Sequence, residues 1–175
     1  MRTVFIVILI LAAVGFVFIY ARPQMQMELT SFSFDENGAM PSRLSCDGGN
    51  LSPHLTISGV PPKAMSLALI LDDPDATRGG TFTHWIIWNI PADTTDMLEG
   101  QHPREAIQGR NDFGSSSYGG PCPPSGATHR YRFKLYALDA SLSLSADSTI
   151  QDLEPEIEKH LIEKAELVGT YTRAQ

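Results

Sequence analysis

Two short stretches of this chain carry side chains able to bind and orient an ionisable guest. One is Asp72-Asp73-Pro74-Asp75-Ala76 with His84-Trp85; the other is Tyr118-Gly119-Gly120-Pro121-Cys122-Pro123-Pro124 with His129-Arg130-Tyr131. Imidazole changes charge near neutrality, and a neighbouring carboxylate raises its pKa. Gly- and Pro-rich turns hold backbone N–H groups in fixed directions and so offer a second kind of anion donor. The chemistry predicted is the holding of a small anion by His84, His129 and the amides of Gly119-Gly120. Asp73 and Asp75 would stand behind the rings, and binding would be tighter below about pH 7.

Other chemistries can be weighed against this one. Two histidines and two aspartates could ligate a divalent ion, but no His-Glu-x-x-His spacing accompanies them, so neither a metal nor a cofactor is expected. Ser115, Ser116 or Ser117 with His129 and Asp75 has the composition of a hydrolase triad, yet the Gly-x-Ser-x-Gly elbow is missing. A non-catalytic binding role is therefore favoured over an enzyme. The rival use of the same rim is docking of a protein partner, such as a protease or an envelope signalling protein. The loop 110–118, with Arg110, Asn111, Asp112 and Phe113, could serve either role, or be a surface turn packed by Phe113.

The elements that position these groups are mostly strands. Leu29 to Phe34 alternates, with Phe32 and Phe34 on one face; Ser66 to Leu71 is almost continuously apolar, as in a strand covered on both sides. Phe82 to Ile90 and Tyr131 to Leu138 follow, separated by Pro61-Pro62, Gly79-Gly80, Pro91 and the Pro121–Pro124 cluster. On an extended backbone Asp73 and Asp75 point the same way. His84 shares a face with Ile86 and Trp88, opposite Trp85, Ile87 and Asn89. His84 falls at the beginning of its strand, and His129 precedes the 131–138 strand. Helix appears late, where Ile150, Leu153, Ile157 and Leu161 keep helical spacing behind a Ser148 or Thr149 cap. Pro155 could divide it, giving one or two short C-terminal helices before a last strand at Leu167 to Tyr171.

The ends and the overall charge bound the setting. Val4 to Tyr20 is apolar or small throughout, between Arg2 and Arg22-Pro23. At a helical rise of about 1.5 Å per residue it nearly spans a bilayer core of about 30 Å. Length and flanks favour an uncleaved anchor over a cleaved signal peptide. The predicted organisation is a hydrophobic helix in 1–21, a linker in 22–28 and one domain in 29–175, outside the cytoplasm, tethered to the membrane through 4–20 or exported. A formal net charge of −7 over 175 residues argues against nucleic acid. Cys46 and Cys122 either form one bridge across a long loop or remain two partly buried thiols.

These motifs, together with Thr83-His84-Trp85, Gly109-Arg110-Asn111-Asp112-Phe113-Gly114, Cys46-Asp47-Gly48, Leu51-Ser52-Pro53 and Glu166–Tyr171, resemble the phosphatidylethanolamine-binding protein family. The likeness is greatest to its bacterial, Raf-kinase-inhibitor-like branch, and it covers residues 27–173. The resemblance implies a mainly β fold, an antiparallel β-sandwich with C-terminal helices and a small surface cavity for phosphate-like anions or phospholipid head groups. Carried over by position, that cavity would use Asp73, Asp75, His84, Gly120, Pro121, His129 and Tyr131. The segment 4–20 lies outside the family pattern.

Overall fold

The computed structural model describes residues 26–174 apart from Arg78. The helix and anchor expected in 1–21, and most of the 22–28 linker, lie outside the described residues. Among the described residues no helix is long and apolar enough to cross a membrane.

The chain forms β1 (Glu28–Thr30), β2 (Gly38–Ala39), a 3-10 turn (Ser42–Leu44), β3 (Leu55–Ser58), β4 (Ser66–Asp73) and β5 (Phe82–Pro91). Then come β6 (Asp96–Met97), β7 (Ile107–Gln108), β8 (Thr128–Leu138), α1 (Ile150–His160) and β9 (Leu161–Thr172). A small sheet has the order β1-β3-β6; a larger one has the order β2-β9-β8-β4-β5-β7. Pairing is antiparallel except where β2 lies parallel to β9.

The apolar run of β4 is the centre of the molecule because both of its faces are covered. On one face Leu69 and Leu71 join Trp85, Ile87, Phe133 and Leu135, and the same cluster takes in Leu29 and Ile57 of the small sheet. On the other, Ala68 and Ile70 pack with Ile86 and Trp88 against Leu153 and Ile157 of α1. Each large apolar side chain so buried contributes roughly 1.5–3 kcal/mol, which is why the functional groups can occupy the sheet's end without unravelling it.

Two local expectations are corrected and one open alternative is resolved. The 29–34 stretch does not continue as a strand: Ser31 Oγ donates to the His54 carbonyl and accepts from Ser33 N–H, bending the chain after Thr30. Phe34 is then buried while Phe32 is 87% exposed. Pro155 sits inside a single unbroken α1, which begins in a reciprocal cap between Thr149 and Asp152. The last strand is much longer than Leu167–Tyr171, running for 12 residues straight from the helix end.

Candidate functional site

Strand β8 alternates strictly. His129, Tyr131 and Phe133 face the main core, whereas Arg130, Arg132 and Lys134 face outward. His129 thus lies within the strand and not before it. On the neighbouring β4, Asp73 is on the His129 side and Asp72 on the Arg132 side. His129 Nδ1 donates to Asp73 Oδ2 at 2.7 Å, and both groups are buried.

His84 reaches the same face through an irregularity the sequence did not reveal. Leu71 pairs with Trp85 but Asp72 pairs with Thr83, so His84 is an extra residue in β5. A β-bulge of this kind breaks the two-residue alternation. Ile86 and Trp88 stay with the helix-side cluster, whereas the His84 ring stands edge-on to Tyr131 at 5.2 Å, on the main-core side. The expectation that His84 shares a face with Ile86 and Trp88 is therefore overturned.

His84 Nδ1 donates to the Gly119 carbonyl at 2.8 Å, which leaves Nε2 as the ring's acceptor when neutral. Burial pushes the His84 pKa down; the Gly119 carbonyl and the nearby Asp73 carboxylate only partly offset that. The expected upward shift by carboxylates does not hold for this ring, because desolvation is the larger effect. Tyr131, on the strand between these groups, is fully buried; its hydroxyl lies near Asp73 and the Cys122 backbone but makes no well-formed hydrogen bond among the described residues. Burial and then the Asp73 charge raise its pKa, so it is a proton donor at neutral pH.

Asp75 does not point with Asp73. Its backbone N–H caps Asp73 Oδ1 at 2.8 Å, and its carboxylate takes the Arg130 backbone N–H, Nε and Nη2. The cause is the turn after Asp73, which ends the extended run that would have kept both side chains parallel. The Arg130 guanidinium lowers the Asp75 pKa to about 2.

The loop wall is built by three segments. Gly119 N–H donates to the His84 carbonyl at 3.1 Å and Gly120 N–H to Asn50 Oδ1 at 2.7 Å, so both amides expected to hold an anion are already engaged. Gly120 admits no side chain: a Cβ there would lie 2.2 Å from the Leu44 carbonyl oxygen. The Pro121 carbonyl accepts from Cys46 N–H, and Cys46 and Cys122 are joined by a disulfide with Cα atoms 5.4 Å apart. Tyr118 Oη donates to the Leu44 carbonyl, and Tyr171 Oη to Asp47. Asn111, expected on an exposed loop, is buried: its amide donates to the carbonyls of His84 and Ser117 while its oxygen accepts from Phe113 and Ser115 N–H. Phe113, half exposed, closes over Phe82 and His84 with ring centroids 4.8 and 5.3 Å away.

A cavity of about 230 Å³ opens on the outer side of Gly119-Gly120, walled by Asn50, Phe113, Tyr118 and the disulfide. The imidazoles are not among the residues that line this cavity. The serine groups do not assemble a triad: Ser115 and Ser117 bond within the loop, Ser116 to the Ala146 carbonyl, and Asp75 to Arg130. Among the described residues no three His, Cys, Asp or Glu side chains cluster as a metal site would. Asn50, Asn111 and Asp47 were not anticipated as organisers; their only sequence signal is Asn or Asp in a Gly-rich turn, which is common.

Comparison with known proteins gives a consistent result. The family model described as phosphatidylethanolamine-binding protein matches residues 30–172. A UPF0098 protein of Methanothermobacter thermautotrophicus is 47% identical over 152 residues, covering 84% of this chain and 99% of that one. The crystal structure of CT736 of Chlamydia trachomatis, a phosphatidylethanolamine-binding protein homolog, superposes with a TM-score of 0.80 at 40% identity over 85% of this chain and 98% of that one. Escherichia coli YbcL, a member of the mammalian PEBP family, gives 0.80 at 33% identity over 85% and 99%.

Proposed function

The chain belongs to the phosphatidylethanolamine-binding protein family, and from that premise we propose that it binds a small phosphate-type anion, free or as a lipid head group, without turning it over. The two sheets sharing one core fit the sandwich expected of such a fold. The observation that carries the reading is the buried set of His84, His129 and Tyr131 around Asp73, in which the Tyr131 hydroxyl lies close to Asp73 and the Cys122 backbone yet, among the described residues, makes no well-formed hydrogen bond. Buried polar groups are normally satisfied, and an open donor inside a polar cluster is what a bound oxyanion would complete.

The donors in this reading are side chains: Tyr131 Oη and the Nε2 atoms of His84 and His129, with Gly119-Gly120 and Pro121 serving as the wall and Phe113 as the cover. Since His84 Nδ1 is committed to a carbonyl, Nε2 can donate to an oxyanion only after the ring gains a proton. Burial of the ring opposes that gain. Anion binding is thus coupled to proton uptake, and affinity falls as pH rises. Asp75, held by Arg130, stands outside this set and acts through the turn it closes.

The test is calorimetric titration with inorganic phosphate and with phosphoethanolamine between about pH 5.5 and 8, on either side of the ordinary histidine value. Heat of binding that weakens toward high pH, and that His84→Ala and His84→Gln both remove while far-UV dichroism is kept, is the expected result. Affinity that strengthens with pH, or is unchanged in both variants, overturns the reading. Residues 4–20 are proposed to tether the domain to a membrane outside the cytoplasm. Retention in the membrane pellet after alkaline extraction supports that, and release into the supernatant rejects it.

A further inference from the structure

A second concavity lies far along the sheet from the imidazoles, between two strand edges. It encloses about 680 Å³ between β1 with the turn after it and the 164–167 part of β9. Strand β9 is paired with β8 along its whole length, but β2 covers its other edge only at Gly169 and Thr170. The direction of the remaining main-chain groups follows from the ladder. Val168 and Thr170 offer their carbonyls to Asn37 and Met40, and Val168 N–H meets Glu36, so the even-numbered residues turn away from β8. With no register shift between Thr172 and Glu163, the N–H and C=O groups of Lys164 and Glu166 turn the same way. Among the described residues they have no partner.

The groove has the ingredients for strand addition: an open edge, an apolar floor and a charged rim. Leu29, Phe34 and Leu167 are buried core residues that also line the groove, so they form its floor. Glu28, Asp35, Glu36 and Glu166 border it, against the single cation Lys164. Open edges of this length are normally blunted by lysines, prolines or a covering segment. Here the rim is mostly anionic. A second copy of this chain, with a formal charge of −7, is repelled by such a rim, whereas a cationic strand is attracted.

We propose that the β9 edge at Lys164–Glu166 is a docking site for an extended, basic peptide segment of another protein, which adds beside β9 by main-chain hydrogen bonds and is selected by the acidic rim. Specificity in this mode comes from alternate side chains, so a segment with basic and small apolar residues in alternation fits best. The site is independent of the anion pocket.

The test uses the full-length chain in detergent with a fluorescent ten-residue peptide of alternating Lys and Val, and its Glu/Val counterpart. Anisotropy should show saturable binding of the basic peptide only, weakening with salt, together with new hydrogen-exchange protection of the Lys164 and Glu166 amides. Lys164→Pro removes an N–H that β8 does not use, so the variant should fold yet bind roughly tenfold or more weakly, the loss expected for a main-chain bond plus a blocked edge. Equal binding of the two peptides, or an unaltered affinity in a folded Lys164→Pro chain, overturns the proposal. So does protection of the two amides before peptide is added, which would assign the edge to the chain's own first residues. A fall in oligomeric mass caused by Lys164→Pro would assign it to a second copy and likewise overturn it.

Discussion

Asp72 and Asp73 are consecutive residues of one strand, equally buried, and they live in opposite chemistries. Asp72 faces outward and is held by Arg132 Nε at 2.7 Å, Arg132 Nη2 at 3.1 Å and Lys134 Nζ. Asp73 faces inward and is held by His129 and by the backbone N–H of Asp75. The outward carboxylate is surrounded by permanent cations that also reach water. The inward one is surrounded by groups whose charge or hydrogen bonding can change: His84, His129 and the Tyr131 hydroxyl. Identical residues one step apart thus become a structural clamp and the centre of a responsive cluster, because the strand period sends them to different faces. What distinguishes a candidate site from a buried ion pair is the kind of partner and not the burial.

Removing the cations should break the outer half most severely. In an Arg132→Ala, Lys134→Ala double variant, Asp72 is left buried without compensation. The expected cost is about 3–5 kcal/mol in urea unfolding, because breaking a buried ion pair strands one charge. Stabilisation of the remaining folded protein by phosphate should be unaffected, since the outer face does not touch the inner cluster. The inner counterpart, Asp73→Asn, keeps an oxygen for His129 but loses the charge, and should cost about 1.5–3 kcal/mol, the range for a hydrogen bond to a charged group. Unlike the double variant it should also weaken phosphate binding, because the His84 ring loses the carboxylate that favours its charged form and His129 loses its charged hydrogen-bond partner. If both variants altered phosphate binding equally, the division of labour between the two faces would be wrong.

The core of the molecule was legible in the sequence, and the site only in part. The apolar run of β4, the alternation of β8 and the spacing of Leu153 and Ile157 each report burial through a fixed period, and the structure places them accordingly. The motif residues identified the inner cluster, but not how it forms. The bulge at His84 inserts a residue into one strand opposite none in the next, which is a property of pairing and invisible in either strand alone. The Gly119 and Gly120 amides carry no mark showing that His84 and Asn50 already occupy them. The direction of the His84 pKa likewise depended on a comparison the sequence could not make: desolvation by a packed core against a carboxylate on a different strand.

Asp75 supplies the finest test of the comparison, since it neighbours the inner cluster yet has an outer-type partner. Its folded-state pKa of about 2 is depressed below the ordinary carboxylate value, mainly by the Arg130 guanidinium. A depressed carboxylate contributes stability that is complete above its unfolded pKa of about 4 and disappears as pH falls through the folded value. The wild-type chain should therefore be the more stable of the two near neutrality and lose that advantage across the acid window, converging with Asp75→Asn as pH falls through the folded value. The difference must be small, because Arg130 is well exposed and water screens an exposed pair. Its salt dependence separates the alternatives: an effect that shrinks in high salt places Asp75 with the surface clamps. One that persists, and comes with a changed phosphate affinity at neutral pH, places it with Asp73 in the inner cluster, as the turn between Asp73 N-capping and Arg130 would then be transmitting ligand contact.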